Sequence, residues 1–120
     1  MAGYLTTHVL DTARGLPAAH MNIALWHVDA GGNGRELLKT TRTNADGRTQ
    51  EAMLSQEEFA TCVYELEFAV GDYFATQGVA TAEIPFLDVV TIRFGMADAD
   101  AHYHVPLLVS PWAYSTYRGS

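Results

Sequence analysis

Five histidines punctuate this chain, and His102 and His104 stand two residues apart in HYHVPLLVS. Side chains alternate between the faces of a β-strand, so these two imidazoles point the same way. Imidazole, with an unperturbed pKa of about 6.5, takes and gives protons near neutral pH. A same-face pair can also ligate a metal through converging ring nitrogens. No third ligand stands at a diagnostic spacing, because Asp98 and Asp100 lie in a turn, ADADAH, where carboxylates cap and solvate. His8, in YLTTHVLD, shares a strand face with Thr6 and Leu10, opposite Leu5, Thr7 and Val9. Arg48 follows the pair Asp46-Gly47, and its guanidinium offers a permanently charged planar fork for a carbonyl or a developing oxyanion. His20, in a loop, and His27, near a strand end, read as structural or surface residues. No Gly-x-Ser-x-Gly, no Ser-x-x-Lys and no cysteine beside a base is present, so covalent catalysis has no support. If the chain is an enzyme, water is the nucleophile and histidine the general base.

Rigid elements must bring such groups together, and most of the chain reads as short strands between turn residues. YLTTHVLD is a first strand; ARGLPAAH, with its glycine and proline, is a loop. NIALWHVDA is a second strand closed by GGNG, RELLKTTRT is a third, and NADGR holds a tight-turn signal at Asp46-Gly47. Ser55 and Glu58 have capping-box spacing in LSQEEF, which predicts a short helical turn. TCVYELEFAV is a further strand. In GDYFATQG, Asp72 is placed to cap, and Gly78 to stop, roughly one or two helical turns. FLDVVTIRFGM follows with Val90, Ile92 and Phe94 on one face, and AHYHVPLLVS and WAYSTYRG make a final strand pair around Ser110-Pro111. Pro106, inside a strand-like run, predicts an edge, an end or a bulge. Short strands at this spacing with one short helix predict an all-β sandwich of two sheets, in a single domain over residues 1–120.

Composition removes several classes of function. The chain is 48% hydrophobic and 18% charged, enough to fill a core. Its net charge is −7 with seven Lys and Arg, too few to build a phosphate-binding surface, so nucleic acid is not an expected partner. The same acidity argues against anionic membranes. No apolar run approaches the roughly 20 residues of a bilayer span. Cys62 is the single cysteine and sits in an apolar stretch, so it reads as a small core residue with no internal disulfide. MAGYLTTHVLD lacks a basic region followed by an apolar core, and Arg-Gly-Ser is not a peroxisomal address, so a cytoplasmic protein is expected.

Four stretches, THVLDTARGLPAAHM, TNADGR, FLDVVTIRF and HYHVPLLVSPWAYSTYRGS, resemble the 5-hydroxyisourate hydrolases, the transthyretin-like enzymes of urate breakdown. The resemblance runs nearly end to end, and Tyr117-Arg118-Gly119-Ser120 is its most specific part. Transthyretin shares the fold and the Ser-Pro-x-x-Tyr-Ser-Thr pattern but lacks the histidines and this tail. The resemblance implies a transthyretin-like sandwich of two antiparallel sheets with a short helix. It implies a homotetramer whose active sites lie in a channel between dimers. It implies hydrolysis of the six-membered ring amide of 5-hydroxyisourate to 2-oxo-4-hydroxy-4-carboxy-5-ureidoimidazoline, without a cofactor or a metal. The family's catalytic residues fall on His8, Arg48 and His104, and its substrate-binding tail on Tyr117, Arg118, Gly119 and Ser120; the sequence matches the pattern at each.

On this reading the final strand delivers His104 and the tail to one cavity, with Gly119 allowing close backbone approach and the terminal carboxylate and Ser120 hydroxyl meeting a ligand or Arg118. One histidine deprotonates water, Arg48 stabilises the oxyanion, and the other histidine orients water or protonates the leaving nitrogen. His102 stands at the channel edge, on the face of His104. The apolar run PLLVSPWAY carries more apolar surface than a thin sandwich needs, in keeping with assembly. The alternative is a non-catalytic transthyretin-like carrier of a small planar ligand, which has no evident need for the trio His8, Arg48 and His104. A zinc domain using His102 and His104, or an immunoglobulin-like adhesion module, stands further off.

Overall fold

Period-two burial is clearest in β-strands Tyr4–Asp11 and Val89–Met96, one from each layer of the molecule. The structure, a computed structural model, describes residues 3–79 and 82–119. Among these run, in chain order, β1 (Tyr4–Asp11), β2 (Leu16–Pro17), β3 (Asn22–Val28), β4 (Arg35–Arg42), β5 (Cys62–Ala69), α1 (Val70–Thr76), β6 (Val89–Met96), β7 (His102–Val109) and β8 (Tyr114–Thr116). In β1 the alternation is complete: Leu5, Thr7, Val9 and Asp11 are buried, and Tyr4, Thr6, His8 and Leu10 are half-buried on the other face. In β6 Val90 and Ile92 turn inward as expected, and Phe94 packs against the core's margin.

The strands form two sheets, ordered β2-β1-β7-β8 and β4-β3-β5-β6. Their inner faces meet in one core that includes Leu5, Val9, Val105 and Leu107 from the first sheet and Ile23, Leu25, Leu66, Phe68 and Val90 from the second. Each large apolar side chain so withdrawn from water contributes roughly 1.5–3 kcal/mol. Cys62 packs against this core, as its apolar surroundings suggest. Neighbouring strands are antiparallel except β1 and β7, which run parallel from Tyr4↔His102 to Asp11↔Val109. No hairpin joins these two strands, so nothing local dictates their relative sense.

Three local readings shift. The helix starts at Val70, directly out of β5, with Asp72 inside its first turn and not at the cap. Burial of Val70, Tyr73 and Phe74 decides this start, and Gly78 follows the helix end as expected. The Ser55 amide does donate to Glu58 Oε1 at 2.9 Å, but the chain makes only a turn there. Pro106 lies within β7 between two strand neighbours. Its nitrogen faces a gap in the β8 ladder, which pairs Leu107↔Thr116 and resumes only at His104↔Gly119. The missing amide proton is therefore not required there, and Thr116 Oγ1 donates to the Pro106 carbonyl at 2.7 Å.

A buried carboxylate fixes the far end of β1. Asp11 accepts from the Tyr73 hydroxyl at 2.8 Å, from Arg14 Nε at 3.1 Å, and from the amides of Ala13 and Arg14 at 3.0 and 3.1 Å. This clasp ties the strand that carries His8 to α1. Among the described residues no helix is long and apolar enough to cross a membrane.

Candidate active site

The parallel register of β1 and β7 assembles the site. It sets Thr6 opposite His104 and Tyr4 opposite His102, all on the outer face of the first sheet. Thr6 Oγ1 sits between the two imidazoles, 2.6 Å from His102 Nε2 and 2.8 Å from His104 Nδ1. The His102 ring lies on the Tyr4 ring, with centroids 4.1 Å apart and planes 7° apart. Strand spacing alone places His102 and His104 on one face; the hydroxyl that joins them comes from 98 residues away in sequence.

Arg48 reaches this face through a turn that β1 itself receives. Asn44 Oδ1 accepts from the amides of Asp46 and Arg48 at 2.9 and 3.2 Å, and the Asn44 carbonyl accepts from Gly47 at 2.9 Å. Gly47 has φ +76°, and a Cβ there would stand 2.4 Å from the Val9 carbonyl. The glycine thus lets the turn press onto β1, where Val9 donates to the Gly47 carbonyl at 2.8 Å and His8 bridges Arg48. His8 Nε2 lies 2.9 Å from the Asp46 carbonyl. A carbonyl can only accept, so this nitrogen carries the proton and the neutral ring is left with Nδ1 as its acceptor. Beyond the turn, the chain runs on along β1 to the bridge Leu5↔Leu54 and walls the site.

The tail divides. The Gly119 amide donates to the His104 carbonyl at 2.7 Å, and a Cβ on Gly119 would fall 2.7 Å from His104 Cδ2. Close backbone approach at this position is therefore a property of the packing. Arg118 turns the other way, its guanidinium 4.2 Å above the Tyr103 ring, in a groove of about 250 Å³ beside Phe94 and Gly95. Tyr117 is exposed and borders the same groove. Within one subunit these two side chains do not join the histidines. Ser120 lies outside the described residues.

The site opens as a hollow of about 490 Å³ lined by Tyr4, Thr6, Thr7, Arg48, Thr49, Gln50, Glu51, Ala52, His102 and His104. Sequence reasoning did not select Tyr4, Thr6 or Glu51 for the site, because their places depend on long-range register. His104 has its pKa lowered, first by burial and then by the Arg48 charge, with smaller electrostatic contributions from the neighbouring His102 and His8 rings. Burial and the neighbouring cation thus favour its neutral form, in which one ring nitrogen donates and the other accepts. His8 does not line this hollow but adjoins it through its bridge to Arg48, while His20 and His27 are not among its lining, and His27 packs edge-on against Tyr64. Among the described residues no group of three His, Cys, Asp or Glu side chains is placed to hold a metal ion. A larger hollow of about 710 Å³ lies on the second sheet, lined by residues such as Asn22, Thr40, Arg42, Glu67 and Val89, and offers no comparable pair of proton-transfer groups.

What this arrangement can do chemically is hold a small polar ring between a cation and a neutral imidazole. The family described as HIUase/Transthyretin family matches residues 5–119. A relative from Mesorhizobium japonicum, named 5-hydroxyisourate hydrolase, is 60% identical over 98% of this chain and 93% of its own length. A relative of the same name from Ralstonia nicotianae is 58% identical over 98% of this chain and 99% of its own length. The solved structure of an (S)-allantoin synthase superposes with a TM-score of 0.91 at 46% identity, covering 99% of this chain and 44% of that longer one. The chain belongs to the HIUase/Transthyretin family.

Proposed function

We propose that this protein is a 5-hydroxyisourate hydrolase and that the hollow between β1, β7 and the Arg48 turn is its active site. One observation carries the reading: His104, its neutral form favoured by burial, and the cationic Arg48 line one polar hollow, in a chain whose relatives bear that enzyme's name. His104 takes a proton from water as the water oxygen attacks the ring carbonyl. Arg48, with no carboxylate partner among the described residues, stabilises the oxyanion. His8, its Nε2 proton committed to the Asp46 carbonyl, orients the water. Collapse of the tetrahedral intermediate breaks the ring C–N bond, and the proton goes to the leaving nitrogen. The product is 2-oxo-4-hydroxy-4-carboxy-5-ureidoimidazoline. No step calls for a cofactor or a metal.

The working form is a homotetramer with its sites in the channel between dimers. Trp112 and Tyr117 are 63% and 61% exposed in the single subunit, and Leu16 and Tyr114 are about half exposed, so apolar side chains stand open at both edges of the first sheet, at β2 and at and beside β8, for assembly to cover. Assembly also gives Tyr117, Arg118 and Ser120 a way to wall a site, since within one subunit Arg118 points away from His104. Urate oxidase generating 5-hydroxyisourate in place, with absorbance decay followed with and without the protein, tests the reaction. Decay well above the spontaneous rate is expected. No acceleration from a verified tetramer contradicts the enzyme reading and favours the carrier. A monomeric mass by light scattering at micromolar concentration contradicts the shared channel.

A further inference from the structure

We propose that Thr6 is the positioning and proton-relaying hydroxyl of this site, coupling His104 to His102 so that the proton His104 takes from water comes to rest on His102. This deepens the hydrolase reading and rests on it.

The geometry confines the possibilities. A threonine hydroxyl has one proton to give and lone pairs to accept with, and Thr6 Oγ1 has two ring nitrogens within hydrogen-bond distance, His102 Nε2 at 2.6 Å and His104 Nδ1 at 2.8 Å. It donates to one and accepts from the other. In the first pattern His104 Nδ1–H donates to Thr6 and the Thr6 hydroxyl donates to His102 Nε2. His104 Nε2 is then bare and faces the substrate as a base. In the second pattern His102 Nε2–H donates to Thr6 and the Thr6 hydroxyl donates to His104 Nδ1. His104 Nε2 then carries the proton and is an acid.

These patterns are the two ends of one transfer. Water loses a proton to His104 Nε2 as its oxygen bonds to the carbonyl carbon. His104 Nδ1–H passes to Thr6 Oγ1, and the Thr6 proton passes to His102 Nε2. His104 ends neutral, and His102 ends as imidazolium. Running the chain backwards returns the proton through His104 Nε2 to the leaving nitrogen, so atoms and charge balance over the cycle.

Two independent features favour charge at His102. Its ring lies flat on Tyr4, 4.1 Å between centroids, and an aromatic face attracts a cation at that distance. A proton kept on His104 instead faces Arg48 in a partly buried place. The groups facing His104 are His8 from β1, His102 from β7, Arg48 from the turn, and the Gly119 backbone from the tail, with Glu51 in the same hollow. Glu51 is the carboxylate of that lining.

The test uses the whole enzyme and the variants Thr6→Val, Thr6→Ser, His102→Phe and Thr6→Val/His102→Phe. Nitrogen-15 spectra of the imidazoles report the tautomer without substrate. The wild type is expected to hold His104 with its proton on Nδ1, and Thr6→Val to move it to Nε2. Thr6→Val and His102→Phe, the latter keeping a ring on Tyr4, are each expected to lower kcat about 10- to 100-fold, the scale for losing a group that orients a catalytic imidazole. KM should move little, Thr6→Ser should restore most of the loss, and the double variant should fall no more than about threefold below the worse single, because a relay is lost as a unit. A Thr6→Val enzyme with kcat within about twofold of wild type, or with the His104 tautomer unchanged, overturns the relay. So does a double variant whose loss is the product of the single losses. His104→Ala run beside them separates the claims. If it is inactive while Thr6→Val is normal, the relay alone fails; if it turns over normally, the histidine mechanism fails with it.

Discussion

The outer faces of the two sheets carry similar residues and use them in opposite ways. On the second sheet, Arg35 Nη1 donates to Glu65 and Glu67 at 2.9 Å each, Arg93 Nε donates to Glu65 at 2.8 Å, and Trp26 Nε1 donates to Glu67 at 2.8 Å. Arg35 also lies 3.9 Å over the Trp26 ring. These three donors are spent on acceptors of the same face. On the first sheet, Arg48 has no such carboxylate among the described residues, and the imidazoles meet a hydroxyl that can reverse its direction. Charge neutralised within a face holds the sheet together. Charge left facing a hollow is available to a substrate. Neither size nor an unpaired cation alone separates the two, since the larger hollow lies on the second sheet and is lined by Arg42, which has no carboxylate partner among the described residues; the histidine pair does.

Substitutions on the two faces should therefore separate rate from stability. After loss of His104, Arg48→Ala should show the largest effect, a fall of about 100- to 1,000-fold in kcat, as for removal of an oxyanion donor. Its melting temperature should scarcely change. Gly119→Ala comes next. The added methyl meets His104 Cδ2 at 2.7 Å, so ring or tail must shift, and a fall of about 10- to 100-fold in kcat is expected from misplacement alone. Glu65→Gln reverses the pattern: turnover should stay near wild type while thermal unfolding moves down by a few degrees. A large loss of kcat in Glu65→Gln, or of stability in Arg48→Ala, would break the comparison.

Acid should separate the faces too. Arg93 first and then Arg35 hold the Glu65 carboxyl below its usual range. Its contribution to stability is present above the ordinary carboxylate pKa and is lost as pH falls through the depressed folded value, because the unfolded state binds the proton first. In the proposed mechanism His104 acts on rate instead. Its pKa is lowered, so kcat/KM should keep its plateau below the ordinary imidazole range and fall only at more acid pH. In the residual activity of Arg48→Ala that acid limb should move up in pH, since a charge that disfavours imidazolium is gone. An unmoved limb would assign it to another group.

Much of the fold was legible because burial alternates with period two. YLTTHVLD gave β1 and its faces, and HYHVPLLVS gave β7 with both histidines on one side. The turn at Asp46-Gly47 was readable because it needs a residue that accepts positive φ, and Gly47 has φ +76°. What escaped depends on long range. The parallel pairing that sets Thr6 against His104 joins residues 98 apart, so neither Thr6 nor the Tyr4–His102 stack could be found by spacing. The helix start moved from Asp72 to Val70 because buried apolar residues outweigh a capping preference. The tail's sequence marked it as distinctive, but not that Arg118 would turn onto Tyr103 while Gly119 covers His104.

The central claim is that a neutral His104 is the base. Its most direct test is single-turnover decay of 5-hydroxyisourate with wild type and His104→Ala at equal tetramer concentration, followed across neutral pH. The account predicts a loss of about 100- to 10,000-fold in His104→Ala together with loss of the wild-type acid limb. Near-normal decay with the same pH profile would contradict it and place the base elsewhere.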